Sequence, residues 1–331
     1  MGNAESFTPQ LLQITDEIKE VLSEFSEIYA AVLLGSCSRG EETYFISEDG
    51  KKTLLSDVEI SLIIEKNCNI ETVNKRLSEL NCKLQKKIDL PIFELSWGFV
   101  KKNRLPTMDR RFIVFETYAA GKLLYGNEGV FSLFPKFSVK NLNYSELNSI
   151  INHRLAHVLY NWQKLDEKKK KYCLARNTLD ITTVVLPYMG YLIPTYHKRN
   201  VIFTQLNLEQ YFGEGINERL KLYLDMKMDY LHQAYDLLEL VDMKNTFISD
   251  MKALYAFVQH HRNGYAFCND KRRIISSLMR MDIKRVCWEF HRADYEESAF
   301  NYMIGIIDNI EYSSDVVDEI KNRMLKIYGC L

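Results

Sequence analysis

No apolar run in this 331-residue chain approaches the length of about 20 residues that a membrane-spanning helix needs. The N-terminus, MGNAESFTPQ, has no basic stretch leading into an apolar core, so no secretory signal is visible there. Met1-Gly2 with Ser6 matches only the loose myristoylation pattern, which is short enough to arise by chance. There is no CxxC pair either. Cys37, Cys68, Cys82, Cys173, Cys268, Cys287 and Cys330 are scattered and odd in number, which excludes a disulfide framework or structural zinc site and fits a reducing cytoplasm. Finally, the chain lacks an excess of either charge. With 43 Lys and Arg against 44 Asp and Glu, the formal net charge is −1. That argues against broad electrostatic binding of nucleic acid or an acidic membrane, and leaves room only for a local basic groove.

What is present is the composition of a folded protein: 47% hydrophobic and 26% charged residues, at a length that favours two domains. Thr8-Pro9 starts a helix whose apolar face runs from Leu11 to Phe25. Ile28 to Leu34 is short, apolar and bounded by glycine, and reads as a buried strand. Leu54 to Ile64 reads as a second strand, and the segment between the two as a hairpin turning at Asp49-Gly50. Ile70, Val73, Leu77, Leu80 and Leu84 mark a helix, and IDLPIFELSWGFV supplies a third strand with Pro91 near its start. Arg111 to Ala120 is a short helix.

Beyond Pro135 the strand signal disappears. From Tyr144 onward the periods are helical, as in LHQAYDLLELV, AFNYMIGIIDNI and VVDEIKNRMLKIY. His260 to Phe267 reads as a helix end with Gly264 as its left-handed residue. The expected organisation is an α/β (α+β) domain with a small mixed sheet over residues 1–138, followed by an all-α helical-bundle domain over residues 139–331.

The chemistry is concentrated in the first part. The strand ending at Leu34 runs directly into Gly35-Ser36, and the next strand carries Asp57-Val58-Glu59. Positions i and i+2 of a strand face the same way, so Asp57 and Glu59 project together and repel unless a cation lies between them. Magnesium favours one or two carboxylates with phosphate oxygens and water. Gly35 allows a close backbone approach, and Ser36 can donate its hydroxyl and amide to a phosphate. Singly, each of these motifs is commonplace.

Together, Leu34-Gly35-Ser36 and Ser56-Asp57-Val58-Glu59-Ile60 resemble the signature of the DNA polymerase beta-like nucleotidyltransferase superfamily, in the form found in kanamycin-type aminoglycoside nucleotidyltransferases. FELSWGFV resembles that family's third strand, and AAGKLLYG (residues 119–126) the segment that closes its catalytic domain. The resemblance covers roughly residues 28–126. It implies an NTP, with ATP expected, on Gly35 and Ser36, and two Mg²⁺ ions on Asp57, Glu59 and Glu94, the catalytic carboxylates. Asp89, just before Leu-Pro, is the alternative third acid; alternation around Glu94 and Ser96 favours Glu94. Twenty residues separate Ser36 from Asp57, so the hairpin is an insertion beside the motif.

The resemblance also implies a lysine or arginine from the helical domain on the NTP. Lys171 and Arg176 are the candidates, against the reading that Lys168 to Lys171 is a solvated run. Tyr196, His197 and Arg199 lie in what reads as a loop beside the cleft. Asp166, Glu167 and Asp180 are the candidate general bases of that domain. His153 and His157 have zinc spacing with no third ligand evident, and read better as a polar helix face.

The function expected is transfer of a nucleoside monophosphate from an NTP to a hydroxyl of a small molecule, in a bacterial, cytoplasmic enzyme with no membrane or nucleic-acid partner. The alternatives are a cyclic-dinucleotide or oligonucleotide synthase of bacterial defence, and a toxin-type enzyme modifying tRNA or protein.

Overall fold

The computed structural model describes residues 8–46, 52–88, 94–279, 297 and 299–308. The expected turn at Asp49-Gly50, the alternative acid Asp89, Pro91 and the helix expected over 316–328 lie outside them. The chain divides into two compact units. One holds residues 1–138 together with the short segment Met228–Leu231; the other holds the remainder. Among the described residues no helix is long and apolar enough to cross a membrane.

The first unit is a mixed α/β structure. Helix α1 (Pro9–Leu22) begins where expected, with Thr8 capping the Leu11 amide and proline in the first turn. Strand β1 (Ile28–Leu33) then runs into α2 (Gly35–Arg39), a helix of little more than one turn. A hairpin follows, β2 (Tyr44–Ile46) paired with β3 (Lys52–Leu54). The single strand expected over 54–64 is thus divided. Leu55 to Asp57 are irregular, and β4 begins at Val58 and runs to Ile64. Helix α3 (Ile70–Ile88), strand β5 (Leu95–Lys101), a 3₁₀ turn at Lys102–Thr107, helix α4 (Phe112–Ala120) and strand β6 (Lys122–Gly126) complete the unit's main elements.

The sheet order is β5-β4-β1-β6. β4 and β5 run parallel, as their connection through α3 requires, whereas β1 is antiparallel to both β4 and β6. On one face Val58, Ile60, Leu62 and Ile64 of β4 join Leu11, Ile18, Val73 and Leu77 in the core under α1 and α3. The other face is covered by that 3₁₀ turn, α4 and a second 3₁₀ turn at Glu128–Leu133, through Leu105, Val114, Val130 and Phe134 on Ala30, Val32 and Ile63. Central strand β1 is therefore covered on both sides. A register shift between Ile28 and Ala30 lets Ile28 and Ala31, three apart, face the same core. Near the chain's second half, Tyr230 returns to this unit and donates its amide to Tyr44 O at 2.9 Å.

The second unit is helical: α5 (Tyr144–Trp162), α6 (Glu167–Thr178), α7 (Asp180–Tyr188), α8 (Tyr196–Gln205), α9 (Glu209–Phe212), α10 (Ile216–Met228), α11 (Ala234–Leu237) and α12 (Leu240–Met279). Helix α12 packs on α5, α6 and α7. Residues 299–308 are helical as well. Three expectations are corrected here. LHQAYDLLELV is not one helix, because Leu238 is extended and separates α11 from α12. The backbone does not turn at Gly264, since α12 continues through it to Met279. One glycine costs a helix interior only about 1 kcal/mol, too little to stop it alone. Tyr196 and Arg199 are not in a loop; they lie in the first turn of α8, and both are buried.

Gly126 shows how tightly the edge strand is seated. Its φ is +89°, and a Cβ there would fall 2.3 Å from Tyr29 O of the neighbouring strand. Gly126→Ala should therefore destabilise the first unit by about 2–4 kcal/mol. Urea unfolding followed by circular dichroism measures this, and an unchanged midpoint would mean that β6 is not held at this distance.

Candidate functional site in the first unit

β1 ends at Leu33, and the chain must leave the sheet at once. Gly35 makes the turn with a left-handed φ of +64°, which glycine adopts without strain. A second constraint acts at the same atom. A Cβ on Gly35 would lie 2.1 Å from Oε2 of Glu59 and 3.1 Å from its Cδ, so the Glu59 carboxylate rests against the bare α-carbon. Glu59 is on β4 between Val58 and Ile60, both fully buried on the α1–α3 side, so it stands on the opposite sheet face.

The turn is tied to the entrance of β4 at several points. Leu34 donates its amide to Glu59 O at 2.8 Å, and the Cys37 thiol donates to Asp57 O at 3.4 Å. The Ser36 hydroxyl donates to Ser56 Oγ at 3.2 Å, and Ser56 Oγ also accepts the Thr43 amide at 2.7 Å. Asp57 immediately precedes β4 and Glu94 immediately precedes β5. The Val58 amide donates to Glu94 O at 2.9 Å, and the ladder then pairs Val58 with Leu95 and Glu59 with Ser96. One step before the first pair, Asp57 and Glu94 are thus neighbours across the two strand entrances. Within the strands Glu59 and Ser96 share one face, while Val58 and Leu95 are in the core.

The donor set is made of hard oxygens, which suits magnesium more than a softer metal. Among the described residues, however, no group of three or more His, Cys, Asp or Glu side chains is placed to hold a metal ion. Asp57 and Glu59 supply carboxylate oxygens next to the glycine-serine turn. They do not form a closed protein cage.

Behind the turn lies an ion-pair network that the motif reading misses. Arg39, in the last turn of α2, pairs with Glu41 at 2.9 Å and with Glu116 of α4 at 3.4 Å, and all three side chains are largely buried. Glu42 is also buried; its Oε1 accepts the Tyr44 hydroxyl, and burial holds that phenol well above its ordinary pKa. The trace this leaves in the sequence is the run of charged residues, Arg39, Glu41 and Glu42, directly after the glycine-serine turn.

The second unit places the other candidates as follows. Lys171 is buried, donating to Tyr235 O at 2.9 Å and pairing with Glu167 at 2.7 Å, so its ammonium is engaged within the unit. Arg176 is exposed on α6. Asp166 is exposed and caps α6 by accepting the Lys169 amide at 2.8 Å. Asp180 is only 4% exposed. It pairs with Arg154 and accepts hydrogen bonds from Tyr196 at 2.7 Å and Thr183 at 2.8 Å. Burial pushes its pKa up, but Arg154 and the two hydroxyls outweigh burial and leave it below the usual carboxylate value. Arg199, 1% exposed, bonds Thr183, Ile193 O and Pro194 O. The Asp180 carboxylate, with its partners Arg154, Tyr196 and Thr183, is poorly suited to act as a general base. His197 is exposed.

His157 Nδ1 lies 3.2 Å from Asn177 Nδ2 and 3.6 Å from Cys173 Sγ. Burial, then Arg176, Arg154 and His153, depress its pKa to about 4, and burial raises the Cys173 thiol to about 11. Thiol and imidazole are therefore both neutral near pH 7, the reverse of an activated thiolate–imidazolium pair.

No protein-family model matches the chain, and no curated protein matches it.

The depressed imidazole has a stability consequence. An unfolded chain protonates His157 near pH 6.5 and the folded one only near 4, so the unfolded state binds more protons between these values. Stability contributed by neutral His157 is full above pH 6.5 and is lost as pH falls through that window. Across it, wild type should lose about 2–3 kcal/mol relative to His157→Gln. Chemical denaturation at pH 7.5 and pH 4.5 measures the difference, and equal pH dependence in the two proteins would refute the assignment.

Proposed function

We propose that the chain is a nucleotidyltransferase that moves a nucleoside monophosphate from an NTP to an acceptor hydroxyl, with release of pyrophosphate. The observation that carries this reading is the packing of the Glu59 carboxylate on Gly35. It joins the acidic strand entrance to the glycine-serine turn as one element, in the arrangement that the nucleotidyltransferase-like motifs imply. Bound magnesium would supply positive charge to the triphosphate and the developing oxyanion. Asp57 and Glu59 would hold it, and Gly35 and Ser36 would receive phosphate oxygens. Glu94, neighbour of Asp57 at the strand entrances, would accept the proton of the acceptor hydroxyl. The kanamycin-type motif favours a small-molecule acceptor and ATP as the nucleotide.

Incubation of the protein and Mg²⁺ with each labelled NTP, alone and with candidate acceptors, tests the reading. Asp57→Asn and Glu59→Gln should each abolish transfer with the fold retained, and Glu94→Gln should lower the rate about 10²-fold or more. Near-normal turnover in Asp57→Asn or Glu59→Gln at ordinary Mg²⁺ would overturn it. Product formed without acceptor would point instead to a synthase.

Ser56 gives a finer test. A single hydrogen lies between the Ser36 and Ser56 oxygens, and Ser56 also accepts the Thr43 amide. By accepting the Ser36 hydroxyl and the Thr43 amide together, Ser56 fixes where Ser36 stands in the turn. Ser56→Ala should then raise the NTP KM about tenfold, the scale of one hydrogen bond to a charged group. Ser56→Thr, which keeps the hydroxyl, should stay near wild type. An unchanged KM in Ser56→Ala removes Ser56 from this role.

A further inference from the structure

The near-zero net charge conceals a segregation within the first unit. Residues 8–97 contain ten Lys and Arg against sixteen Asp and Glu, whereas residues 98–138 contain seven against three. One of those three, Glu116, is already neutralised by Arg39. The basic segment is also aromatic, with eight Phe and Tyr among its residues. It is the segment that leaves β5 and covers the sheet face on which Glu59 stands.

Its charges and rings meet at the surface. Arg110, Arg111 and Lys136 are exposed, as is Asp109 just before them. Arg110 Nε donates to Lys136 O at 3.3 Å, which brings the start of α4 against the strand of chain at 134–137. Tyr118 is 44% exposed, and its ring centroid lies 5.7 Å from that of the half-buried Phe137. Cations beside an exposed, supported aromatic ring are what the phosphates and bases of an unpaired strand require. The cations neutralise the backbone, and the ring offers a stacking face that any base can use. An acidic protein surface would use the cations but not the ring.

We infer that this surface, formed by the start and outer face of α4 with residues 134–137, binds single-stranded nucleic acid. The inference concerns binding and does not depend on the chemistry proposed above. The probe is a fluorescein-labelled oligouridylate of about 16 nucleotides, followed by anisotropy with the full chain at several KCl concentrations. Engagement of about three phosphates predicts a log–log salt slope near −2. Arg111→Glu with Lys136→Glu should weaken binding at least tenfold and flatten the slope. Tyr118→Ala should weaken it about five- to tenfold with the slope unchanged. Lys75→Glu, on α3 over the opposite sheet face, should bind like wild type; the assay contains no NTP, which separates failure of this proposal from failure of the catalytic one. If the charge-reversed protein does not fold, Arg111→Gln with Lys136→Gln replaces it. No binding, or binding indifferent to these variants, overturns the proposal. So does a silent Tyr118→Ala combined with equal competition by poly-glutamate, which would make the partner an acidic polypeptide.

Discussion

The contact between the Glu59 carboxylate and the bare α-carbon of Gly35 constrains everything around it. The carboxylate fills the place of a side chain that the turn does not have. Any residue but glycine would meet both a left-handed backbone and an occupied volume. This close approach lets Leu34 and Cys37 bond the main chain of Glu59 and Asp57, and it brings Ser36 to Ser56. Turn and strand entrance consequently behave as one body. The ladder to β5 positions the Glu59 backbone, and its carboxylate packs on the turn.

The same turn is braced from behind. Arg39 reaches back to Glu41 and across to Glu116, so α4 and the glycine-serine turn share one guanidinium. A buried pair of this kind is weak evidence for added stability, since desolvation offsets much of the attraction. Its consequence is geometric: an Arg39 fork satisfied on two sides fixes where α4 lies over the sheet. The layer bearing Arg110, Arg111 and Tyr118 is thereby set relative to the face that carries Glu59.

Much of this fold is legible in the sequence where a pattern is long enough to repeat. The alternation in β4 and the nineteen residues of α3 leave little choice of structure. Strand β6 is five residues long between a lysine and a glycine, too short for alternation to register, and it is recognised only through its pairing with β1. Tyr196 and Arg199 look like loop residues because they are polar and follow Pro194. They are buried because Asp180, Thr183 and the carbonyls of Ile193 and Pro194 satisfy them. In the candidate site, Gly35, Ser36, Asp57 and Glu59 are readable because each lies in a short motif. Ser56's bridge to Ser36 and Thr43, and Arg39's to Glu116, join residues distant in sequence and are visible only after folding.

The charge distribution carries the same lesson one level further. A net charge of −1 describes the sum over the whole chain, while a ligand meets only the field within about a Debye length, roughly 8–10 Å. Within the first unit the acids gather in the half that forms the turn and the strand entrances, and the bases in the segment laid over the same sheet face. Had the two been interspersed, each would have been screened by its neighbours, as the exposed Arg76 is by Glu24 and Glu79. Segregation leaves the segment over this face with a net positive charge. A polyanion is attracted to such a segment even where the chain as a whole is near neutral.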